Sequence, residues 1–420
     1  MYEYSFHRSG VPTPIFGCFR PIPWKLYSYG RASGRGCGAD SDITRYPGPM
    51  VMADRPGVAT ASAPVTALTM VGLADSMLNG LARVPFRRFW QGPGGLLDNV
   101  GQSVTRQAVR SFMGYIVGLP IEEFRSMEKV LDELCRTVIP PFIHLTDDVE
   151  VTDDEINGVP GLWVRSRSSS DAFVDDDAQK KTIDGTILYL HGGGYIGTTP
   201  MMYSAFAASL CSGTGCEVFI ADYRMAPEFP FPAGVHDAAD VYRGLLERGV
   251  DADHLVIAGD SGGGGLATSL VTYLSEIGSP RPAALALFSP EVDLDLDHPS
   301  ITDNAKTDIL PWNVPVTPYL HGVSPDDTRV SMTKAEPDAQ WFPPTFVTWG
   351  ADEMFRDPIR EFVETLRAAD IEVMSLEERG MFHVFPILMP WAESSHEVYR
   401  ELDEFVDRHV TPDPAAAPTH

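Results

Sequence analysis

A serine between glycines stands where a predicted strand meets a predicted helix. The string Gly259-Asp260-Ser261-Gly262-Gly263 follows the apolar run 255–258 and begins a helical pattern. The glycines permit a turn too tight for side chains, which exposes the serine Oγ, and a helix N-terminus favours negative charge nearby. This context predicts that Ser261 is a nucleophile. The alternatives are a glycine-rich turn without chemistry, a phosphate loop or a dinucleotide loop.

A second glycine run follows another predicted strand. His191-Gly192-Gly193-Gly194 comes directly after the apolar run 186–190. Because glycine has no Cβ, several backbone N–H groups can converge there on one oxygen. Acyl transfer needs two or three such donors to stabilise its tetrahedral intermediate. The run therefore predicts an oxyanion-binding loop, with a flexible strand-end loop as the alternative.

Together with a third, proline-rich string at residues 223–233, these motifs resemble the hormone-sensitive-lipase-like branch of the α/β-hydrolase carboxylesterases. The resemblance covers residues 185–385, in the order oxyanion loop, proline-rich loop, serine turn, acid and histidine. It implies an α/β-hydrolase fold, with a mostly parallel central sheet covered by helices on both faces and an N-terminal helical cap.

The activity that the resemblance implies is hydrolysis of short to medium acyl esters through an acyl-enzyme on the serine. The same triad would also serve an amidase or an acyltransferase. A third alternative is a non-catalytic small-molecule receptor on the same fold. Relatives of that kind have lost the histidine, whereas His383 is present here.

The resemblance places the general base and the acid late in the chain. His383, after the last predicted strand, is the expected base. The acid is expected just after the predicted strand 345–349, where Asp352 and Glu353 adjoin. Aspartate is the commoner acid in the family, but Glu353 stands four residues before Asp357, as the family pattern requires. Glu353 is favoured, and Asp352 stays open.

Four glycines are expected to form the oxyanion hole: Gly192, Gly193, Gly194 and Gly262. The first shapes the loop and the other three supply N–H groups. The family usually has alanine after the nucleophile, but only the N–H of that residue is needed. His191 and Asp260 are expected to support the two loops. This chemistry requires no cofactor and no metal.

The elements that must position these residues follow from hydrophobic periodicity. Residues 66–140 show helical periods only. From about residue 149, apolar strands alternate with helices, which indicates a parallel sheet with both faces covered. The predicted strands are 161–164, 186–190, 217–221, 255–258, 284–288, 345–349 and 371–375, and the predicted helices among them include 235–247, 263–277, 358–368 and 394–409.

Composition divides the chain into four predicted parts. A disordered extension covers residues 1–64, a helical cap segment 65–145, the catalytic domain 146–410 and a disordered tail 411–420. The first 64 residues carry seven basic and four acidic side chains, although the whole chain of 420 residues has a net charge of −26. The acidity therefore belongs to the rest of the chain, and it argues against nucleic-acid binding.

The expected partner is a small-molecule ester, and the oligomeric state stays open. No uncharged apolar run is expected to span a bilayer, since residues 56–74 are interrupted by Pro64. Contact with a membrane or lipid surface stays open, because residues 84–90 mix basic and aromatic side chains. The expected location is cytoplasmic, with association with a membrane or the cell envelope as the alternative. The five scattered cysteines predict neither a disulfide framework nor a zinc site.

Overall fold

Eight strands form one sheet at the centre of the protein. The computed structural model describes residues 52–86, 95–146, 149–167, 185–310, 314 and 316–410. In chain order, β1 to β8 are Val149–Ile156, Val159–Ser166, Thr186–Leu190, Glu217–Ala221, Leu255–Asp260, Ala284–Phe288, Thr345–Gly350 and Val373–Glu378. The order in the sheet is β1-β2-β4-β3-β5-β6-β7-β8. The pairs β1–β2 and β2–β4 are antiparallel and all others are parallel.

Helices cover both faces of this sheet. In chain order, α1 to α11 are Ala63–Ala82, Leu96–Ile116, Ile121–Thr146, Pro200–Thr214, Ala233–Glu247, Ser261–Glu276, Pro299–Asp303, Thr317–Leu320, Arg356–Ala368, Phe385–Leu388 and Glu393–His409. Alternate residues of a strand point to opposite faces. Ile187 and Tyr189 of β3 accordingly share one core with α4 and α11, while α5 and α6 pack together elsewhere on the sheet.

The predicted mostly parallel sheet is confirmed, and the structure contains elements that the sequence pattern did not reveal, among them strand β1 and helix α4. Strand β1 forms a hairpin with β2, but its middle residues are largely solvent-exposed, so it lacks an apolar run. Most residues of helix α4 are buried, and apolar side chains lie around most of its circumference. A helix without a polar face gives only a weak helical period.

Residues 52–64 lie within the described structure and make buried contacts, so a disordered extension that reaches residue 64 is too long a prediction. Met52 is fully buried, and Arg55 forms an ion pair of 3.2 Å with buried Asp222. Helix α1 already begins at Ala63. The rest of the predicted extension, residues 1–51, and the predicted tail, residues 411–420, lie outside the described residues.

Helix α3 extends beyond residue 140, where the predicted helical region ends. It continues through Pro140 and Pro141 to Thr146. The last turns of α3 are stabilised because Ile143 is buried in the main core, which also contains residues of β1 and α4. The burial of Ile143 thus favours this extension, against the helical hydrogen bonds that the prolines remove.

By length and composition alone, helix α1 could cross a membrane, although it contains Asp75 and so is not an uncharged apolar run. The helix packs against α2 and α3, but only Thr69, Leu73 and Gly80 are buried. On the opposite side, Leu68 and Leu78 are 72% and 68% exposed. An apolar face of α1 is therefore open to its surroundings.

A buried arginine fastens α3 to two loops of the catalytic domain. The Arg125 guanidinium donates to the carboxylates of Glu128 at 3.1 Å and Glu228 at 2.7 Å. It also donates to the carbonyl oxygens of Ile196 at 2.6 Å and Ala226 at 2.8 Å. Burial raises the pKa of Glu128 to about 8, although the charge of Arg125 opposes that shift. Arg125 thus links α3 to the loops that contain Ile196, Ala226 and Glu228.

Replacing Arg125 by leucine should destabilise the protein strongly. The variant would leave two carboxylates and two carbonyl oxygens without their donor, and removing one partner of a buried ion pair costs about 3–5 kcal/mol. We expect Arg125→Leu to lower the free energy of unfolding by about that amount in chemical denaturation. The control is Arg243→Ala, which removes an exposed ion pair with Asp240 and should cost less than about 1 kcal/mol. Equal losses in the two variants would contradict this role of Arg125.

Candidate active site

Three of the residues predicted from the sequence follow the carboxyl ends of parallel strands. Ser261 comes directly after β5, and Glu353 and His383 lie in the loops after β7 and β8. Since the carboxyl ends of parallel strands lie at one edge of a sheet, these side chains converge there. They are 8%, 0% and 2% exposed, respectively. The structure therefore brings them together in a site that is largely closed to solvent.

The serine and the histidine are in direct contact. His383 Nε2 lies 2.8 Å from Ser261 Oγ, and on the other side of the ring Nδ1 lies 3.6 Å from Glu353 Oε1. The second distance exceeds that of a hydrogen bond, and such contacts commonly shorten when substrate binds. The arrangement can move a proton from the serine hydroxyl to the imidazole and stabilise the imidazolium that forms.

The structure distinguishes between the two candidate acids, Glu353 and Asp352. Glu353 is fully buried, and its Oε2 accepts hydrogen bonds from Ser289 Oγ at 2.7 Å and from the Gly350 N–H at 2.8 Å. These bonds turn the other oxygen toward His383. Asp352 is half-buried and instead pairs with Arg106 of α2 at 3.9 Å. Among the described residues, the ion-pair partner of Asp352, the alternative that the sequence left open, is therefore Arg106, whereas that of His383 is Glu353.

The surroundings of His383 favour its charged form. Burial alone would lower the pKa of the imidazole, but the negative charges of Glu353 and Asp308 outweigh it, so the pKa is raised above the ordinary value of 6.5. Burial also raises the pKa of Glu353, while the histidine opposes that shift. The pair is thus balanced so that a proton arriving on His383 is stabilised.

The turn at Ser261 has the strained geometry expected of a nucleophile on a strand–helix junction. Ser261 has a φ of +52°, in the left-handed region that non-glycine residues rarely adopt. A Cβ atom at Gly263 would lie 2.1 Å from the carbonyl oxygen of Leu190 and 2.4 Å from that of His191. Only glycine fits there, and the close contact draws the end of β3 against the first turn of α6.

That contact places the glycine loop beside the serine. A Cβ atom at Gly262 would lie 3.2 Å from the Gly194 nitrogen and 2.9 Å from the Tyr195 nitrogen, so these backbones adjoin. Gly193 and Gly194 both have positive φ angles and line the same cavity as Ser261. Their N–H groups and that of Gly262 belong to loop and helix-start backbone, which can donate to an oxyanion.

Gly192 and Asp260 connect the two loops. The Gly192 N–H donates to Asp260 Oδ1 at 2.8 Å, so this N–H is engaged and Gly192 shapes the loop. The same carboxylate accepts hydrogen bonds from the hydroxyls of Tyr189 at 2.7 Å and Tyr203 at 3.1 Å. Burial raises the pKa of Asp260 to about 6, and these bonds oppose the shift. Asp260 therefore supports both the serine turn and the glycine loop.

His191 packs against the glycine loop and supports it. Its ring stacks on Tyr223 with centroids 4.7 Å apart, and its Nδ1 lies 3.0 Å from the Gly192 carbonyl oxygen and 2.9 Å from Thr198 Oγ1. Burial lowers the pKa of His191 to about 4, so the ring is neutral at physiological pH. Its place is structural, distant from the base position that His383 occupies.

Two further residues hold the site together, and sequence reasoning did not identify them. Asp308 is fully buried and accepts hydrogen bonds from the backbone N–H groups of His383 at 3.0 Å and Met354 at 2.8 Å. It joins the histidine loop to the acid loop. Ser289 donates to Glu353 and accepts from the Val384 N–H at 2.9 Å. Ser289 directly follows the predicted strand 284–288, and that position is the signal that could have revealed it.

A cavity of about 570 Å³ opens onto Ser261 and His383. One wall comes from α2, and most of its side chains are apolar. Helices α1 and α3 contribute Met77 and Phe124, and the loop after β6 contributes Glu291. The cavity can hold a mainly apolar ligand of moderate size with its reacting atom at the serine. The residues that line the cavity from α2 include Val109, Phe112, Met113 and Ile116.

The sheet, the strained serine turn and the histidine–carboxylate pair define a hydrolase of the serine type. Residues 187–387 match the family described as having the alpha/beta hydrolase fold. An esterase of Acinetobacter venetianus is 29% identical over 285 residues, which are 67% of this chain and 88% of that relative. An acetyl-hydrolase of Streptomyces hygroscopicus is 35% identical over 204 residues, 48% of this chain and 68% of the relative.

A solved structure described as an esterase from the bacterial hormone-sensitive lipase family superposes with a TM-score of 0.62 at 26% identity, covering 73% of this chain and 98% of that chain. The chain therefore belongs to the α/β-hydrolase fold family, in its branch of hormone-sensitive-lipase-like carboxylesterases. The resemblance noted from the glycine motifs is confirmed.

Proposed function

We propose that the chain hydrolyses carboxylic esters with short to medium acyl chains through an acyl-enzyme on Ser261. The observation that supports this most directly is the 2.8 Å contact between His383 Nε2 and Ser261 Oγ, with Glu353 buried beyond the ring. His383 takes the Ser261 proton as Oγ attacks the ester carbonyl carbon. Glu353 orients the ring and stabilises the imidazolium without itself taking the proton.

The tetrahedral intermediate places its oxyanion against the N–H groups of Gly193, Gly194 and Gly262. His383 then gives its proton to the leaving alcohol, the C–O bond breaks, and the acyl group stays on Ser261. A water molecule, activated by the same histidine, attacks the acyl-enzyme and releases the carboxylic acid. His383 carries the proton in both the acylation and the deacylation step. Its burial beside Ser261 is consistent with that double role.

The cavity supports the proposed substrate class. Its α2 wall presents the apolar side chains named above, which favour a hydrocarbon chain because burying apolar surface stabilises the complex by roughly 25 cal/mol per Å². A cavity of about 570 Å³ lies within the usual range for small-molecule sites, about 300–1,000 Å³. Short to medium acyl groups suit this volume.

Hydrolysis of a series of p-nitrophenyl esters with increasing acyl length tests the proposal. We expect the highest kcat/KM at short to medium acyl chains and a loss of at least about 10⁴-fold in Ser261→Ala, because the covalent step is removed. The release of p-nitrophenol is followed by absorbance. Full activity in Ser261→Ala would refute the nucleophile, a maximum at long chains would indicate a lipase, and no turnover at any length would favour the receptor alternative.

A comparison of the neighbouring acids tests the role of Glu353. Glu353→Gln should lower kcat/KM by about 10²- to 10⁴-fold, because the imidazolium loses its stabilising charge. Asp352→Asn, the matched control, should change kcat/KM by less than about threefold. The assay is hydrolysis of the ester that the wild type turns over best.

The pH dependence of the same variants gives a second measurement. Only neutral His383 can accept the serine proton, so activity falls as pH drops through the raised pKa of the histidine, above 6.5. Glu353→Gln removes one charge that raises this pKa, so the acid limb of kcat/KM should move to lower pH. Asp352→Asn should leave it in place. A shift of the limb in Asp352→Asn alone would assign the acid to Asp352.

We further infer that the exposed face of α1 contacts a lipid surface. Leu68, Val71 and Leu78 are exposed, and helical geometry places them on one side of the helix. Asp75, the one charged residue of α1, is exposed on the same side of the helix. Met77, on the opposite side of the helix, lines the cavity. The same helix would thus rest on the lipid and bound the cavity that receives the acyl chain.

Co-sedimentation with phosphatidylcholine vesicles tests this contact. The double variant Leu68→Gln and Leu78→Gln should bind at least about tenfold more weakly than the wild type, because burial of a leucine side chain contributes about 1.5–3 kcal/mol. The control is Ile277→Gln, which changes an exposed apolar residue after the end of α6. Identical sedimentation of all three proteins would rule out lipid contact through α1.

A further inference from the structure

The mechanism above leaves one ionisable group of the cavity unused. Glu291 lines the cavity together with Ser261 and His383, yet its side chain is only 1% exposed. Within the described part of the chain, its Oε1 has no hydrogen-bond partner. Burial raises the pKa of Glu291 to about 7, and the charge of His383 opposes this shift. Glu291 is therefore a buried carboxyl group with an unpaired oxygen, and it belongs to a residue that lines an otherwise mainly apolar cavity.

The backbone of Glu291 is fixed next to the nucleophile. Its N–H donates to the Ser261 carbonyl oxygen at 2.9 Å, and its own carbonyl oxygen accepts from the Tyr195 hydroxyl at 3.3 Å. A Cβ atom at Gly265 would lie 2.3 Å from that carbonyl oxygen, so α6 packs tightly against it. The Cα atom of Glu291 is therefore held beside the serine turn, within reach of the cavity that Ser261 also lines.

A second unsatisfied polar atom lies nearby. The Tyr319 hydroxyl is buried and has no hydrogen-bond partner among the described residues. The Tyr319 ring stacks on that of Tyr195 with centroids 3.8 Å apart, and the Tyr195 hydroxyl donates to the Glu291 carbonyl oxygen, so Tyr195 connects the two residues. A hydroxyl group on a ligand can donate to a carboxylate and accept from a phenol at once. An ammonium group can only donate.

We propose that Glu291 binds a hydroxyl group on the alcohol part of the ester, so that the enzyme prefers partial esters of polyols. The α2 wall of the cavity suits the acyl chain, which leaves the alcohol part for Glu291. The inference rests on the proposed ester hydrolysis. Glu291 would act as a specificity residue, because a buried acceptor left unpaired by a substrate without the hydroxyl disfavours that complex.

A matched pair of esters tests the proposal. Butyrates of 1,2-ethanediol and of 1-propanol differ by a hydroxyl in place of a methyl group, and a pH-stat follows the acid released from each. We expect the wild type to prefer the hydroxylated ester by at least about tenfold in kcat/KM. In Glu291→Leu this ratio should fall to about one, and in Glu291→Gln, which keeps an acceptor but no charge, it should lie between.

Val109→Ala is the control, since it enlarges the apolar wall of the same cavity and should change both rates without changing their ratio. Equal rates for the two esters in the wild type, or an unchanged ratio in Glu291→Leu, would overturn the inference. A larger preference for 2-(dimethylamino)ethyl butyrate, which is a cation at neutral pH, would show that the site takes a cation instead if that preference depends on Glu291.

A second pair separates the two parts of the substrate. Propyl 3-hydroxybutyrate and propyl 3-methylbutyrate carry the same exchange on the acyl side. A preference that depends on Glu291 for this pair, and not for the first, would overturn the assignment to the alcohol part. If the wild type turned over none of these esters and no p-nitrophenyl ester, the proposed function itself would fail. Turnover without selectivity would overturn only the inference about Glu291.

Discussion

The approach of the Gly263 backbone to the carbonyl oxygens of Leu190 and His191 is the contact on which the rest of the site depends. Because a Cβ atom at Gly263 would lie 2.1 Å from the Leu190 oxygen, no side chain separates the end of β3 from the first turn of α6. The loop that begins at Gly192 therefore lies directly against the turn that holds Ser261. With a side chain between them, the backbone donors and the nucleophile could not serve the same carbonyl group.

The sequence was sufficient for the parallel part of the sheet, because these strands are buried on both faces and stand out as apolar runs. The predicted runs 186–190, 217–221 and 284–288 coincide with β3, β4 and β6. It was insufficient where stability comes from distant partners. Arg55 is ordered by Asp222, 167 positions further along the chain, and no local period reveals such a pair. A segment that is held by contacts with distant residues, as residues 52–64 are, therefore lacks a local pattern and is predicted to be disordered.

The site likewise contains residues that the sequence revealed and residues that it did not reveal. Ser261 and His383 have neighbours in the sequence that suggest their chemistry, and the structure places them in contact. The choice between Asp352 and Glu353 depended on which side chain points into the site, and adjacent residues of a loop differ in that respect for reasons of packing alone. Asp308 has no motif around it. Its importance comes from the backbone groups of two separate loops that it bonds, which only the fold brings together.

The carboxylates that support the site are paired chiefly with neutral donors. Asp260 accepts from a backbone N–H and two tyrosines, Asp308 from backbone N–H groups, and Glu353 from a serine and a backbone N–H. Neutral donors hold a carboxylate in place but leave it with its full charge, whereas an arginine or lysine partner would neutralise it. The charge of Glu353 therefore remains available to the imidazolium of His383. The net charge of −26 comes mainly from other side chains, so the acidity of the chain and the electrostatics of its site are separate matters.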